Sequence, residues 1–216
     1  MRRVHAAALS AALLVVGCAG SDETAASARS DEPLVPVADV HPGIRFDIRY
    51  ATDDNFTGER LYASDVCLLR ASVADRLARV QDRLAAEGLG LLVFDGYRPL
   101  SVQRRMWELV PDPRYVAPPD RGSRHNRGAA VDVTLVDAAG RRLEMPTDHD
   151  DFTEAAHRDY AGATHAATAN RDRLRAAMEA EGFEGIGTEW WHFDAVNWRE
   201  YDIVGAALGS GRCAGL

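Results

Sequence analysis

The chain has 216 residues, 46% hydrophobic and 27% charged, proportions that exclude general disorder and leave room for one domain with a sizeable core. Acidic residues outnumber basic ones 33 to 25, and a formal charge of −8 excludes an electrostatic nucleic-acid binder. All 25 basic residues are arginine, which also excludes Schiff-base enzymes, lysine-activated nucleophiles and P-loop NTPases.

At the N-terminus, Arg2 and Arg3 precede an apolar run from Ala6 to Val16, too short to span a bilayer and suited to a signal peptide. The run ends Val15-Val16-Gly17-Cys18, which resembles the lipobox of bacterial lipoproteins, where the cysteine is acylated; a plain signal peptide is the alternative. The expected organisation is a lipoprotein signal at 1–17, a flexible polar tether at 18–33 and a single domain at 34–216. Such a protein is exported and faces the periplasm or cell surface, held to the membrane by its lipid alone. With Cys18 so used, Cys67 and Cys213 remain as a pair, expected to form a disulfide, with two buried free thiols as the alternative.

Beyond Pro33, Val73, Leu77, Val80 and Leu84 fall at helical spacing and predict a helix over Ser72–Glu87, capped by Ser72 and stopped by Gly88. The apolar run Leu89–Tyr97 reads as a strand entering a turn at Asp95-Gly96-Tyr97. Pro99 and Ser101 open a helix through Leu109, and Pro111, Pro113, Pro118 and Pro119 mark an irregular loop. Val131–Val136 alternates as a strand, with Asp132, Thr134 and Val136 on one face and Val131, Val133 and Leu135 on the other. A second long helix is predicted over Thr168–Glu181, ended by Gly182, and Phe183–Asp194 reads as extended, interrupted by Gly185 and Gly187. Helices and strands do not alternate regularly. The predicted class is therefore α+β, with a central antiparallel sheet flanked by helices.

No His-Glu-x-x-His, Gly-x-Ser-x-Gly, Gly-x-Gly-x-x-Gly or paired Cys-x-x-Cys occurs. Two clusters remain, Ser123-Arg124-His125-Asn126-Arg127-Gly128-Ala129-Ala130-Val131-Asp132 and Glu189-Trp190-Trp191-His192. Taken alone, Asp132 between two valines reads more readily as a capping or hydrogen-bonded turn residue than as a metal ligand. Joined with the second cluster, His125, Asp132 and His192 offer three ligands and leave a fourth position for water, the open arrangement of catalytic zinc. Glu189 would then be free as general base, while the two tryptophans also suit simple core packing. Arg98, fixed between a turn and Pro99, could meet an oxyanion, or could simply be paired with Asp95. His41, His149, His157 and His165 lack comparable partners and are expected at the surface or in structural roles.

Four segments in one order, Tyr50-Ala51-Thr52-x-x-Asn55-Phe56-Thr57-Gly58, Asp95-Gly96-Tyr97-Arg98-Pro99, Ser123-x-His125-x-x-Gly128-x-Ala130-x-Asp132 and Glu189-Trp190-Trp191-His192, resemble the D-alanyl-D-alanine dipeptidases of the VanX type. The resemblance covers about Phe46 to Tyr201 and implies a zinc metallopeptidase of the Hedgehog/D-Ala-D-Ala-peptidase fold. It implies one Zn2+ on His125, Asp132 and His192, Glu189 as catalytic base and Arg98 as transition-state stabiliser. Ser123, Asp150 and Tyr50 are implied to hold the dipeptide, whose ammonium needs a buried carboxylate. The stretch from Arg98 to His125 is shorter than in the vancomycin-resistance enzyme, so the cover over the pocket is expected to differ. The implied activity is hydrolysis of D-Ala-D-Ala to two D-alanines in cell-wall peptide metabolism. Its alternatives are a D,D-carboxypeptidase trimming peptidoglycan stems and a non-catalytic wall-binding lipoprotein.

Overall fold

The computed structural model describes residues 31–205; Cys18, Cys213 and the expected signal segment lie outside them. Strand β1 (Leu34–Pro36) runs into a short helix α1 (Val37–Val40), followed by β2 (Arg45–Phe46) and β3 (Leu68–Arg70). Helix α2 (Ala71–Ala85) leads to β4 (Leu89–Asp95), α3 (Leu100–Leu109), β5 (Ala130–Asp137) and α4 (His165–Ala180), and the hairpin β6 (Phe183–Gly185) and β7 (His192–Ala195) follows. The order in the main sheet is β2-β4-β5-β7-β6, and β1 pairs with β3 in a separate antiparallel ribbon.

The α+β reading holds, with one refinement. β4, β5, β7 and β6 each run antiparallel to their neighbours in that order, but the edge strand β2 runs parallel to β4, so the sheet is mixed. Its physical reason is the connection: the chain reaches β4 from β2 through α2, and a helical crossover returns the strand in the same direction. β1, β2 and β3 are two or three residues long, too short to leave a periodic signal.

Helix α2 buries Val73, Leu77, Val80 and Leu84 and lies against β4, while α4 buries Ala167, Leu174, Ala177 and Met178 and lies against β5 and β6. Each fully buried Val, Leu or Met contributes about 1.5–3 kcal/mol, which makes this seam the main anchor of the sheet. Ser72 does not cap α2. Its hydroxyl meets Glu32 and Tyr201, and the Glu32 carboxylate accepts the Ser72 backbone N–H from outside the helix. Helix α4 starts at His165, three residues before the predicted start, because Thr164 Oγ1 accepts the Ala167 N–H at 3.0 Å and caps it.

Two features of the fold position the site. A register shift between Val93 and Asp95 sets Asp95 opposite Asp132, and Asp132 is opposite His192, so three polar residues form one row across β4, β5 and β7. His125 stands in a 3-10 turn, His125–Arg127, closed by Gly128 at φ 67°, where a Cβ would fall 2.4 Å from Leu34 Cδ2. Left-handed backbone and close approach together require glycine there.

Candidate active site

His125, Asp132 and His192 are buried and converge. His125 Nε2 lies 3.1 Å from His192 Nδ1, His192 Nδ1 lies 3.0 Å from Asp132 Oδ1, and His125 Nε2 lies 3.4 Å from that same oxygen. Donor atoms held at ~2.0–2.1 Å around a tetrahedral ion stand about 3.3 Å apart, so the triangle has the size a zinc ion needs. The outer ring nitrogens decide the protonation. His125 Nδ1 donates to the Gly96 carbonyl at 2.8 Å, and His192 Nε2 donates to Asp194 Oδ1 at 2.9 Å. In neutral rings the inner nitrogens are then bare, and two lone pairs face each other beside a carboxylate. That arrangement is repulsive without a cation, and the donor set fits a metal on chemical grounds. The same pull acts on protons: burial lowers the His192 pKa, but Asp132 and Asp194 outweigh it and raise it to about 10.

The Asp95-Gly96-Tyr97-Arg98-Pro99 segment supports this centre from β4. A Cβ on Gly96 would lie 2.6 Å from Cys67 Sγ and 2.9 Å from the Leu68 carbonyl, so glycine lets the strand end pack close while its carbonyl serves His125. Asp95 is fully buried and accepts from Tyr62 Oη at 2.7 Å and from Arg98 Nε and Nη2 at 3.0 and 2.7 Å. Arg98 Nη1 donates to Gln103 Oε1 of α3 at 3.2 Å. Three of its five N–H groups are thus engaged, and its guanidinium lies 5.1 Å over the Tyr50 ring on the cavity wall. Arg98 is thus paired with Asp95, as one of the two expectations had it, and it also lines the cavity.

All eight residues singled out from the sequence for metal, catalysis or substrate line one cavity of about 860 Å³. Glu189 Oε2 lies 3.9 Å from His192 Nδ1, and burial raises the Glu189 carboxyl above its ordinary value despite the imidazole beside it. Tyr50 Oη donates to the Asp150 carboxylate at 3.1 Å. Asp150 has φ 61°, the sole non-glycine positive φ among the described residues, and burial raises its pKa. Ser123 Oγ accepts the His125 N–H at 3.3 Å, and the Ser123 N–H donates to Asn126 Oδ1 at 2.6 Å.

The sequence profile of the D-ala-D-ala dipeptidase family matches residues 30–202. The chain belongs to this family. The D-alanyl-D-alanine dipeptidase of Escherichia coli is 37% identical over 171 residues, 79% of this chain and 89% of the relative. That of Enterococcus faecium is 34% identical, covering 71% of this chain and 86% of the relative. Among solved structures, a vancomycin-resistance D,D-pentapeptidase mutant in complex with Zn(II) superposes with a TM-score of 0.41 at 17% identity, over 63% of this chain and 77% of that one.

Three supports of this dipeptidase-family site were not anticipated. His149, expected at the surface or in a structural role, is buried, with Nε2 3.5 Å from Asp132 Oδ2 and Nδ1 3.3 Å from Asp150 Oδ2. It stacks on Phe94 with centroids 4.7 Å apart, so a histidine flanked in sequence only by aspartates is carried inward by its loop. Asn126, also buried, clamps Ser123 and donates to the Arg98 carbonyl at 2.8 Å. Arg158 donates to the carbonyls of Ile186, Glu189 and His192 and fixes the second cluster. Of the other histidines, His41 lies 3.2 Å from Asp82, His165 is exposed at the start of α4, and His157 lines the cavity. Trp190 and Trp191 are both core residues, packed edge to face.

Proposed function

We propose that this chain hydrolyses D-Ala-D-Ala to two D-alanines, with one zinc ion held by His125, Asp132 and His192. When bound there, zinc supplies Lewis acidity and a water acidified toward neutral pH. Glu189 takes the proton of the attacking water and returns it to the leaving amine, a task suited to a carboxyl whose pKa burial has raised. The unengaged N–H groups of Arg98 meet the carbonyl oxygen as charge develops on it. Asp150, with Tyr50 donating to it, receives the substrate ammonium, and Ser123 positions the backbone of the dipeptide.

The observation that carries this reading is the conjunction, in one cavity, of a His-Asp-His donor triangle, a half-buried carboxyl with a raised pKa at Glu189 beside it and a second half-buried carboxylate at Asp150. The Asp150 side chain is 11% exposed, and the nearby rim is walled by Phe56, Phe152 and Tyr115, with Tyr115 and Phe152 stacked at 4.5 Å. A free ammonium adds a cation to the Tyr50 and His149 partners of Asp150 and offsets its burial cost; an acylated nitrogen, as in a stem peptide, carries no charge to do so. This favours the dipeptide over longer stems.

The test is D-alanine release by zinc-loaded protein from D-Ala-D-Ala and from a stem pentapeptide. Release from the dipeptide at least ten-fold faster is expected, with Glu189→Ala retaining zinc and losing about a hundred-fold or more in kcat. Preference for the pentapeptide would reassign the chain to carboxypeptidase action, and a Glu189→Ala rate within a few-fold of wild type would remove Glu189 from the chemistry. The reading extends to location: export under a 1–17 signal and acylation at Cys18 place the reaction outside the cytoplasmic membrane. Mass spectrometry of membrane-fraction protein without an acyl mass on Cys18 would end that part.

A further inference from the structure

A molecule with a net charge of −8 gathers Arg98, Arg114, Arg121, Arg124 and Arg127 around this one cavity. Their commitments differ. Arg98 is held by Asp95 and Gln103, Arg114 by Asp112, and Arg127 Nη1 donates to the Tyr201 carbonyl. The Arg121 side chain is exposed and has no hydrogen bond or ion pair among the described residues. Arg124 is the exception: oriented, yet with donors to spare. Its Nε lies 3.5 Å from Asp194 Oδ2, and its guanidinium sits 4.8 Å over the Trp198 ring. Its two Nη groups make no hydrogen bond among the described residues, and its side chain is 42% exposed on the cavity side.

The carboxylate that orients Arg124 also receives the outer N–H of His192. Two polar runs therefore leave the donor triangle from different ligands. One passes from Asp132 through His149 to Asp150 and ends in a carboxylate; the other passes from His192 through Asp194 to Arg124 and ends in a guanidinium. A cavity negative at one such terminus and positive at the other matches a zwitterion spanning the metal. We propose that Arg124 is the specificity-determining anchor for the free α-carboxylate of the residue that leaves. A guanidinium with both Nη groups open accepts a carboxylate in fork geometry, and a preoriented one loses little entropy in doing so. The proposal rests on the dipeptidase reading and adds to it a requirement for a charged C-terminus, set by a residue outside the metal and base machinery.

The experiment compares D-Ala-D-Ala with its C-terminal amide, D-Ala-D-Ala-NH2. Zinc-loaded wild type should prefer the acid by about ten- to hundred-fold in kcat/KM, the worth of a charge-assisted contact. Arg124→Gln should bring the two substrates within about three-fold by raising KM for the acid, with kcat and zinc content little changed, and Arg124→Lys should recover part of the preference. Arg121→Gln should keep it. In the Glu189→Ala background, calorimetry should show the acid binding about ten-fold more weakly once Arg124→Gln is added, a readout that needs no turnover. An unchanged acid-to-amide ratio in kcat/KM, with unchanged affinity for the acid by calorimetry, would overturn the proposal. So would an equal loss on both substrates with loss of zinc, which would make Arg124 merely a support for Asp194. Wild-type protein that binds the acid selectively but releases no D-alanine would strike the dipeptidase reading and leave this assignment standing.

Discussion

At the scale of single residues, every candidate metal ligand has a partner behind it. The Gly96 carbonyl stands behind His125, Asp194 behind His192 and His149 behind Asp132. Such partners orient a ligand and raise its basicity, and their loss typically costs ten- to hundred-fold in metal affinity. His149→Phe, which keeps the stack on Phe94 but removes both nitrogens, is accordingly expected to weaken zinc binding by about that factor, as read by competition with a chromophoric chelator. Affinity within two-fold of wild type would leave His149 a packing residue only. The sequence made His125, Asp132, His192 and Glu189 visible because each sits in a short run of chemically unusual neighbours. His149 was invisible for the opposite reason. Its partners, Asp132 and Phe94, lie on β5 and β4, and only the return of the 140s loop over the sheet brings them together.

At the scale of elements, the seam between α2 and α4 holds the sheet that carries the site. Its polar clasp is Glu181, which accepts from Arg79 Nε at 2.9 Å and Arg83 Nη2 at 2.7 Å and joins the end of α4 to α2. The two arginines hold the Glu181 carboxyl below its ordinary value. A carboxyl with a lowered folded-state pKa adds stability above its unfolded value, about 4.5, and loses it as the pH falls through the folded value. Wild type should therefore melt higher than Glu181→Gln at pH 7, and the two melting temperatures should converge as the pH falls through the lowered folded-state value. A gap that persists undiminished in acid would assign the effect to packing rather than charge. Legibility differed here too. Helices α2 and α4 and strands β4 and β5 could be read from periodicity because each is long enough to repeat its pattern. The starts of the two helices were placed one and three residues late because the caps, Glu32 for α2 and Thr164 for α4, are chosen by tertiary contact or lie outside the apolar stripe.

At the scale of the whole molecule, the fold brings together segments that are far apart in the chain. The row Asp95, Asp132, His192 exists because β5 is sandwiched between β4 and β7, and His125 joins it because the Arg98 N–H donates to the His125 carbonyl at 3.1 Å. Cys67 is buried beneath Gly96, where burial raises its thiol pKa; its proposed bridge to Cys213 would tie the C-terminal tail behind this same segment. No helix among the described residues is long and apolar enough to cross a membrane.

If one divalent cation completes this constellation, metal analysis of the dialysed protein will show it. Wild type and Glu189→Ala should each retain about one zinc per chain, whereas Asp132→Ala and His192→Ala, folded by circular dichroism, should retain less than about a tenth. Full zinc occupancy in the two ligand variants, or a zinc-free wild type that still releases D-alanine, would contradict the account.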